Sequence, residues 1–193
     1  MGKGEFRHGR RYLARAFLCI AGGFASLYFY AAGLSINPMQ DAFGWSRAEA
    51  SIGSIGMSIA AAVSLPIAGR LSDRHGAVLI SLLSSLGLVA GFLLLSTLTS
   101  GLVTFFSFVF LLTFFSAGTT QLTYNSVIVR HFSHWRGLAL GLVMTGTGVG
   151  SVLVPLLLTP FIAEHGWRAG YAALAACAFP LGITAALKKR HRL

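Results

Sequence analysis

Five stretches of the chain contain no Asp, Glu, Lys or Arg: Ala16–Gln40, Ala50–Gly69, Gly76–Val129, Gly137–Ala163 and Ala169–Leu187. About 20 helical residues cross the roughly 30 Å hydrocarbon layer of a bilayer, so each stretch is long enough to span one. The run Gly76–Val129 is long enough for two crossings, and Thr97-Leu98-Thr99-Ser100-Gly101 is the natural turn between them. The pattern predicts six transmembrane helices over about residues 15–36, 47–68, 77–97, 102–129, 137–160 and 168–187. A basic N-terminal segment, 1–14, precedes this 15–187 bundle and a basic tail, 188–193, follows it. Transmembrane β-strands need short segments of alternating polarity, and these runs are continuously apolar. The expected fold class is all-α, a polytopic six-helix membrane bundle.

Composition points the same way. A chain of 193 residues that is 55% hydrophobic and only 10% charged has more apolar surface than one water-soluble core can bury. Charge then sets the orientation, because cytoplasmic loops near the membrane are enriched in Lys and Arg. Lys3, Arg7, Arg10, Arg11, Arg15, Arg70, Arg74, Arg130, Arg136, Lys188, Lys189, Arg190 and Arg192 fall on one side, against Arg47 and Arg168 on the other. Both termini are therefore expected in the cytoplasm, with the chain in a plasma membrane, a bacterial inner membrane. The net charge of +10 needs no nucleic acid, since the basic residues sit at helix ends beside anionic headgroups. The first apolar run is too long for the core of a usual signal peptide, so an uncleaved first span is expected. Cys19 and Cys177 fall inside spans with no metal-site spacing, and are read as small buried apolar residues. No metal or other cofactor is implied. No His, Asp or Glu lies in the middle of a span, which leaves intramembrane enzyme chemistry without a nucleophile–base pair.

The loop between the second and third spans reads Gly69-Arg70-Leu71-Ser72-Asp73-Arg74-His75-Gly76. Taken physically, Gly69 could close the second helix with φ > 0, Asp73 could cap the third, and Gly76 could allow close backbone approach. The eight residues resemble the loop signature of the major facilitator superfamily: glycine, three residues, Asp, a basic residue, any residue, glycine. The family usually adds basic residues after the second glycine, where this chain has Ala77, Val78 and Leu79. Phe43-Gly44-Trp45-Ser46-Arg47, Arg136-Gly137-Leu138-Ala139-Leu140-Gly141 and Gly166-Trp167-Arg168 are similar to the monocarboxylate and oxalate/formate branch. The resemblance implies one half of a facilitator fold, built as a 3+3 inverted repeat.

An internal echo is consistent with such a repeat. Trp45 leads to His75-Gly76, and 90 residues later Trp135 leads to His165-Gly166. The fifth span carries two Gly-x-x-x-Gly spacings, Gly137–Gly141 and Gly146–Gly150, which let helices approach closely in lipid. Pro66, Pro155, Pro160 and Pro180 can bend helices.

The polar groups within spans are Tyr28, Tyr30, Gln121, Tyr124, Asn125 and Thr145, with Gln121, Tyr124 and Asn125 on one helical face. In facilitators the first and fourth helices line the central cavity, so the resemblance makes these six the substrate-cavity candidates. Interhelical hydrogen bonding is the other reading of the same groups. Arg130, His131, His134 and Arg136 read as topology signals. The expected function is secondary transport of a small solute, an organic anion such as a monocarboxylate or dicarboxylate. A complete facilitator has two six-helix halves, so the expected partners are a small-molecule substrate, membrane lipid, and a second six-helix half or a second copy of the chain. The alternative is a six-helix membrane protein or fragment that acts only through assembly with a partner.

Overall fold

The structure is a computed structural model and describes residues 13–14, 16–99, 101–131 and 135–186. The basic residues before Leu13, Arg15, His134 and the tail lie outside the described residues. Every regular element among the described residues is helical.

α1 covers Ala16–Phe43, α2 Arg47–His75 and α3 Ala77–Ser96. α4 runs Leu102–Ser116, passes through a 3-10 turn at Ala117–Thr119, and resumes over Gln121–His131. The next helical run is Arg136–Ala186, 51 residues, which at 1.5 Å each is over twice the hydrocarbon thickness. Gly166, at φ 83° and ψ 164°, divides it into α5 (136–165) and α6 (167–186). These are the six spans, and the fold is an all-α transmembrane bundle.

The connections explain how six helices fit into so short a chain. Between α2 and α3 a single residue, Gly76, at φ 92° and ψ 137°, makes the turn. Gly166 does the same between α5 and α6 with nearly the same angles. Only glycine takes this region readily, because any Cβ would be strained there. The repeated His-Gly therefore marks one connection used twice, at opposite ends of an inverted repeat. This corrects the reading of the loop. Gly69 stays helical, Asp73 lies in the last turn of α2, and Gly76, with no side-chain cap, precedes α3. A helix that continues to His75 leaves no loop in which Asp73 could cap its successor.

Small residues set the packing distances. A Cβ on Gly150 would lie 2.5 Å from the Ala21 carbonyl oxygen, and one on Gly146 2.7 Å from that of Phe17, so α5 rests on the backbone of α1. Gly137 and Gly141, of the same glycine pattern, face open space within this chain. Cys19 is buried, whereas Cys177 is exposed on α6, contrary to its expected burial.

One end of the bundle, the end with Gly166, is closed by aromatic rings. Phe43 packs on Trp45 at 4.8 Å between centroids and on Trp167 at 5.6 Å, and Trp45 on Phe105 at 5.3 Å. Arg168 lies 4.3 Å over the Trp167 ring and donates from Nη2 to the Leu98 carbonyl at 3.0 Å. The Gly-Trp-Arg segment thus ties α6 to the α3–α4 turn and to the α1–α2 turn. The N-terminus of α2 is held by a capping box: Ser46 Oγ accepts from the Glu49 amide at 3.2 Å, and the Glu49 carboxylate accepts from the Ser46 amide at 2.8 Å.

Candidate functional site

α1 and α4 both lose regular α-geometry, and they do so where they touch. α1 bends at Gly22–Gly23 and winds into a π-turn over Ala25–Phe29. α4 tightens over Ala117–Thr119, and Thr120 is extended. The Phe24 amide, freed by the bend, donates to Thr119 Oγ1 at 3.1 Å. A Cβ on Gly23 would stand 2.6 Å from the Thr119 carbonyl oxygen, so the backbones meet directly. Interrupted helices are tolerated at membrane depth only where neighbours satisfy the freed backbone groups. Here small hydroxyls do so: Ser84 Oγ accepts from the Gly118 amide at 3.1 Å, and Ser26 Oγ donates to the Ile20 carbonyl at 3.2 Å.

Around this crossing lie most of the polar residues read from the sequence. Gln121 Nε2 donates to Thr147 Oγ1 at 2.5 Å, linking α4 to α5. The Tyr124 hydroxyl is hydrogen-bonded to Ser81 Oγ, linking α4 to α3, and the Cys19 thiol of α1 adjoins the same phenol. Asn125 Oδ1 is buried and has no hydrogen-bond partner among the described residues. Tyr28 is 4% exposed, with its ring 5.7 Å from Phe24 and 6.2 Å from Phe92. It lines a cavity of about 30 Å³, large enough for one water, together with Tyr171 and Met39.

The remaining two sit apart. Tyr30 is half exposed, edge-on to Phe29 at 5.3 Å. Thr145 is on the outer side of α5, its hydroxyl donating to the Leu142 carbonyl at 2.7 Å. The structure thus gathers Gln121, Tyr124 and Asn125 at one locus and leaves Tyr30 and Thr145 at the surface. Sequence reasoning missed the partners Ser81, Thr119 and Thr147. Ser and Thr are common in these helices, and only the crossing of α1 with α4 singles out the ones that matter. The loop residues Arg70, Asp73 and Arg74 are exposed at the Gly76 end. No group of three or more metal-ligating side chains occurs among the described residues.

Six apolar spans, all helical among the described residues, and one-residue inverted connections define a multi-pass membrane protein. The chain belongs to the Major Facilitator Superfamily, whose sequence profile matches residues 16–192. That family is one of membrane transport proteins. It is similar to the riboflavin transporter RibJ of Trypanosoma cruzi (strain CL Brener), 32% identical over 141 residues. That match takes in 72% of this chain and 29% of the relative's length. The fold resembles tetrameric PepTSo2 in two crystal forms, with TM-scores of 0.75 and 0.77 at 17% identity, over 95% and 94% of this chain and 41% of that protein. The chain therefore spans less than half the length of the proteins it matches.

Proposed function

We propose that the chain forms one six-helix half of a secondary transporter for a small solute, an organic anion such as a monocarboxylate or dicarboxylate. The observation that carries this reading is the α1–α4 crossing. Helices paired by the inverted repeat are interrupted at one contact, surrounded by uncharged donors and acceptors. Polar groups at this depth are costly in lipid, and in facilitators the solute lies between two halves near the midplane. Asn125, with an acceptor left unused, and the exposed Tyr30 are the first candidates for solute contact. Tyr28, Gln121, Tyr124 and Thr145 follow as groups that hold or flank that wall.

The other half of the cavity comes from a second six-helix unit or a second copy of this chain. Loop residues Gly69, Arg70, Asp73, Arg74 and Gly76 act at the gate on the cytoplasmic side, where both termini lie, in a plasma membrane. A second substrate reading, a planar ring system, draws support from the relative that transports riboflavin.

Uptake of labelled oxalate, formate, lactate, pyruvate and riboflavin into proteoliposomes holding the purified chain, with its oligomer size measured in parallel, tests both readings. Saturable uptake of a carboxylate that falls at least tenfold in Asn125→Ala supports the first, and uptake of riboflavin alone replaces it with the second. Folded protein that moves none of them, alone or co-reconstituted with a second half, favours a membrane protein acting only through assembly.

A further inference from the structure

Two grooves run along the outside of the bundle. One, of about 380 Å³, lies between α1, α5 and α6. The other, of about 220 Å³, lies between α2, α3 and α4. They are the same groove in the two repeats. Ile67, Ala68, Leu71, Leu83 and Ser84 line the second, and the residues 90 positions later, Leu157, Leu158, Phe161, Ala173 and Leu174, all line the first. Inversion places the two in opposite leaflets.

Their mouths differ in charge. On α2, Ile67, Arg70, Leu71 and Arg74 follow i, i+3, i+4, i+7 spacing, so the apolar stripe of the groove runs out at the membrane surface into two guanidinium groups. The corresponding positions on α5 are Pro160 and Glu164. Arg70 and Arg74 are exposed, and among the described residues neither has an ion-pair partner. Asp73, which stands between them in sequence, is already engaged by another group.

We propose that the α2–α3–α4 groove is a binding site for an anionic phospholipid of the adjoining leaflet, with an acyl chain lying along Ile67, Leu71 and Leu83 and the phosphate met by Arg70 and Arg74. The α1–α5–α6 groove, with a carboxylate at its mouth, has no such preference. The charge complementarity selects lipid over a second apolar helix, which would leave two arginines without counter-ions. Lipid retention is read separately from transport, because a chain that moves no solute can still retain the lipid.

Native mass spectrometry of the full chain released from nanodiscs of equal phosphatidylglycerol and phosphatidylcholine tests this directly. The parent chain should retain phosphatidylglycerol over phosphatidylcholine, and the preference should fall roughly fivefold for each arginine removed in Arg70→Gln and Arg74→Gln. Glu164→Gln should leave it unchanged, and Leu83→Trp, which fills the groove without altering charge, should abolish it, with gel filtration checking that each variant stays folded. Equal retention of the two lipids by the parent overturns the proposal. So does an undiminished preference in Leu83→Trp, which would assign the lipid to the basic surface as a whole. A dimer that excludes lipid would also overturn it, giving the groove to a second copy.

Discussion

The two inverted repeats of this chain, α1–α3 and α4–α6, share their connections but not their closeness of packing. Gly56 and Ala60 of α2 correspond, 90 residues on, to Gly146 and Gly150 of α5. A Cβ on Gly56 would meet the Phe106 ring of α4 at 3.1 Å and the Phe106 carbonyl oxygen at 3.2 Å, and Ala60 already carries a methyl group. A Cβ on Gly150 would meet the backbone of α1 at 2.5 Å. A contact at 3.1–3.2 Å is relieved by a shift of a few tenths of an ångström, whereas one at 2.5 Å forces the backbones apart. The second repeat thus holds α5 against the irregular part of α1, while the first leaves slightly more room at the corresponding Gly56 of α2.

The largest expected effect follows from that difference. Gly150→Ala should cost about 1–3 kcal/mol, as overpacking of a close contact does, lowering the apparent melting temperature in detergent by several degrees. Gly56→Ala should cost less than half as much, because its contacts begin at 3.1 Å, not at 2.5 Å. Equal losses in the two variants would remove the asymmetry between the repeats. Gly141→Ala, at an open position of the same helix, should change stability by no more than about 0.5 kcal/mol.

The connections predict equality instead. Gly76→Ala and Gly166→Ala each place a side chain at a positive φ with ψ near the extended range, at a cost of about 1–3 kcal/mol. Thermal unfolding should show the two losses within about 0.5 kcal/mol of each other, since both glycines hold nearly the same strained angles. A loss at one glycine only would mean that its helix pair can hinge elsewhere.

How much of this was legible beforehand depended on the length scale of the signal. Spans such as Ala77–Ser96 were plain because 20 uninterrupted apolar residues have few alternatives. The His-Gly echo foretold a repeat, but not that Gly76 alone would make the turn, since a loop signature ending in Asp73-Arg74 looks equally like a capped loop. At the crossing, Gln121, Tyr124 and Asn125 were readable as one face because helical spacing is local. Their partners Ser81 and Thr147, and the bond from Phe24 to Thr119, join residues 26 to 95 positions apart. No periodicity within a helix encodes such pairings. Thr145, two positions from Thr147, is exposed on the same helix.

The Gly166 end contrasts with the polar crossing in being closed by rings and one cation. Arg168→Gln removes a cation–π contact and a charged hydrogen bond to the Leu98 carbonyl, and should cost about 1 kcal/mol at this exposed position. Arg47→Gln, the other arginine at that end, should cost nearly nothing. The sharper readout is local: hydrogen exchange at the α3–α4 turn should quicken in Arg168→Gln and stay unchanged in Arg47→Gln. Faster exchange in both would make net charge, and not the clasp, the stabilising agent there.

The smallest effect concerns the start of α2, where the chain re-enters the bundle. Ser46-Arg47-Ala48-Glu49 matches the S-x-x-E capping pattern, and the reciprocal bonds between Ser46 and Glu49 are both present. Ser46→Ala should cost about 0.5–1 kcal/mol, because the segment is exposed and water replaces part of the cap. That corresponds to amide exchange a few times faster at Glu49 and Ala50, with the interior of α2 unaffected. The clasp beside it supplies the comparison: if Ser46→Ala also loosened the Trp45–Phe105 contact, read as a shift in tryptophan fluorescence, the cap and the aromatic closure would be one cooperative unit. An unshifted spectrum would show the rings holding α2 in place by packing alone.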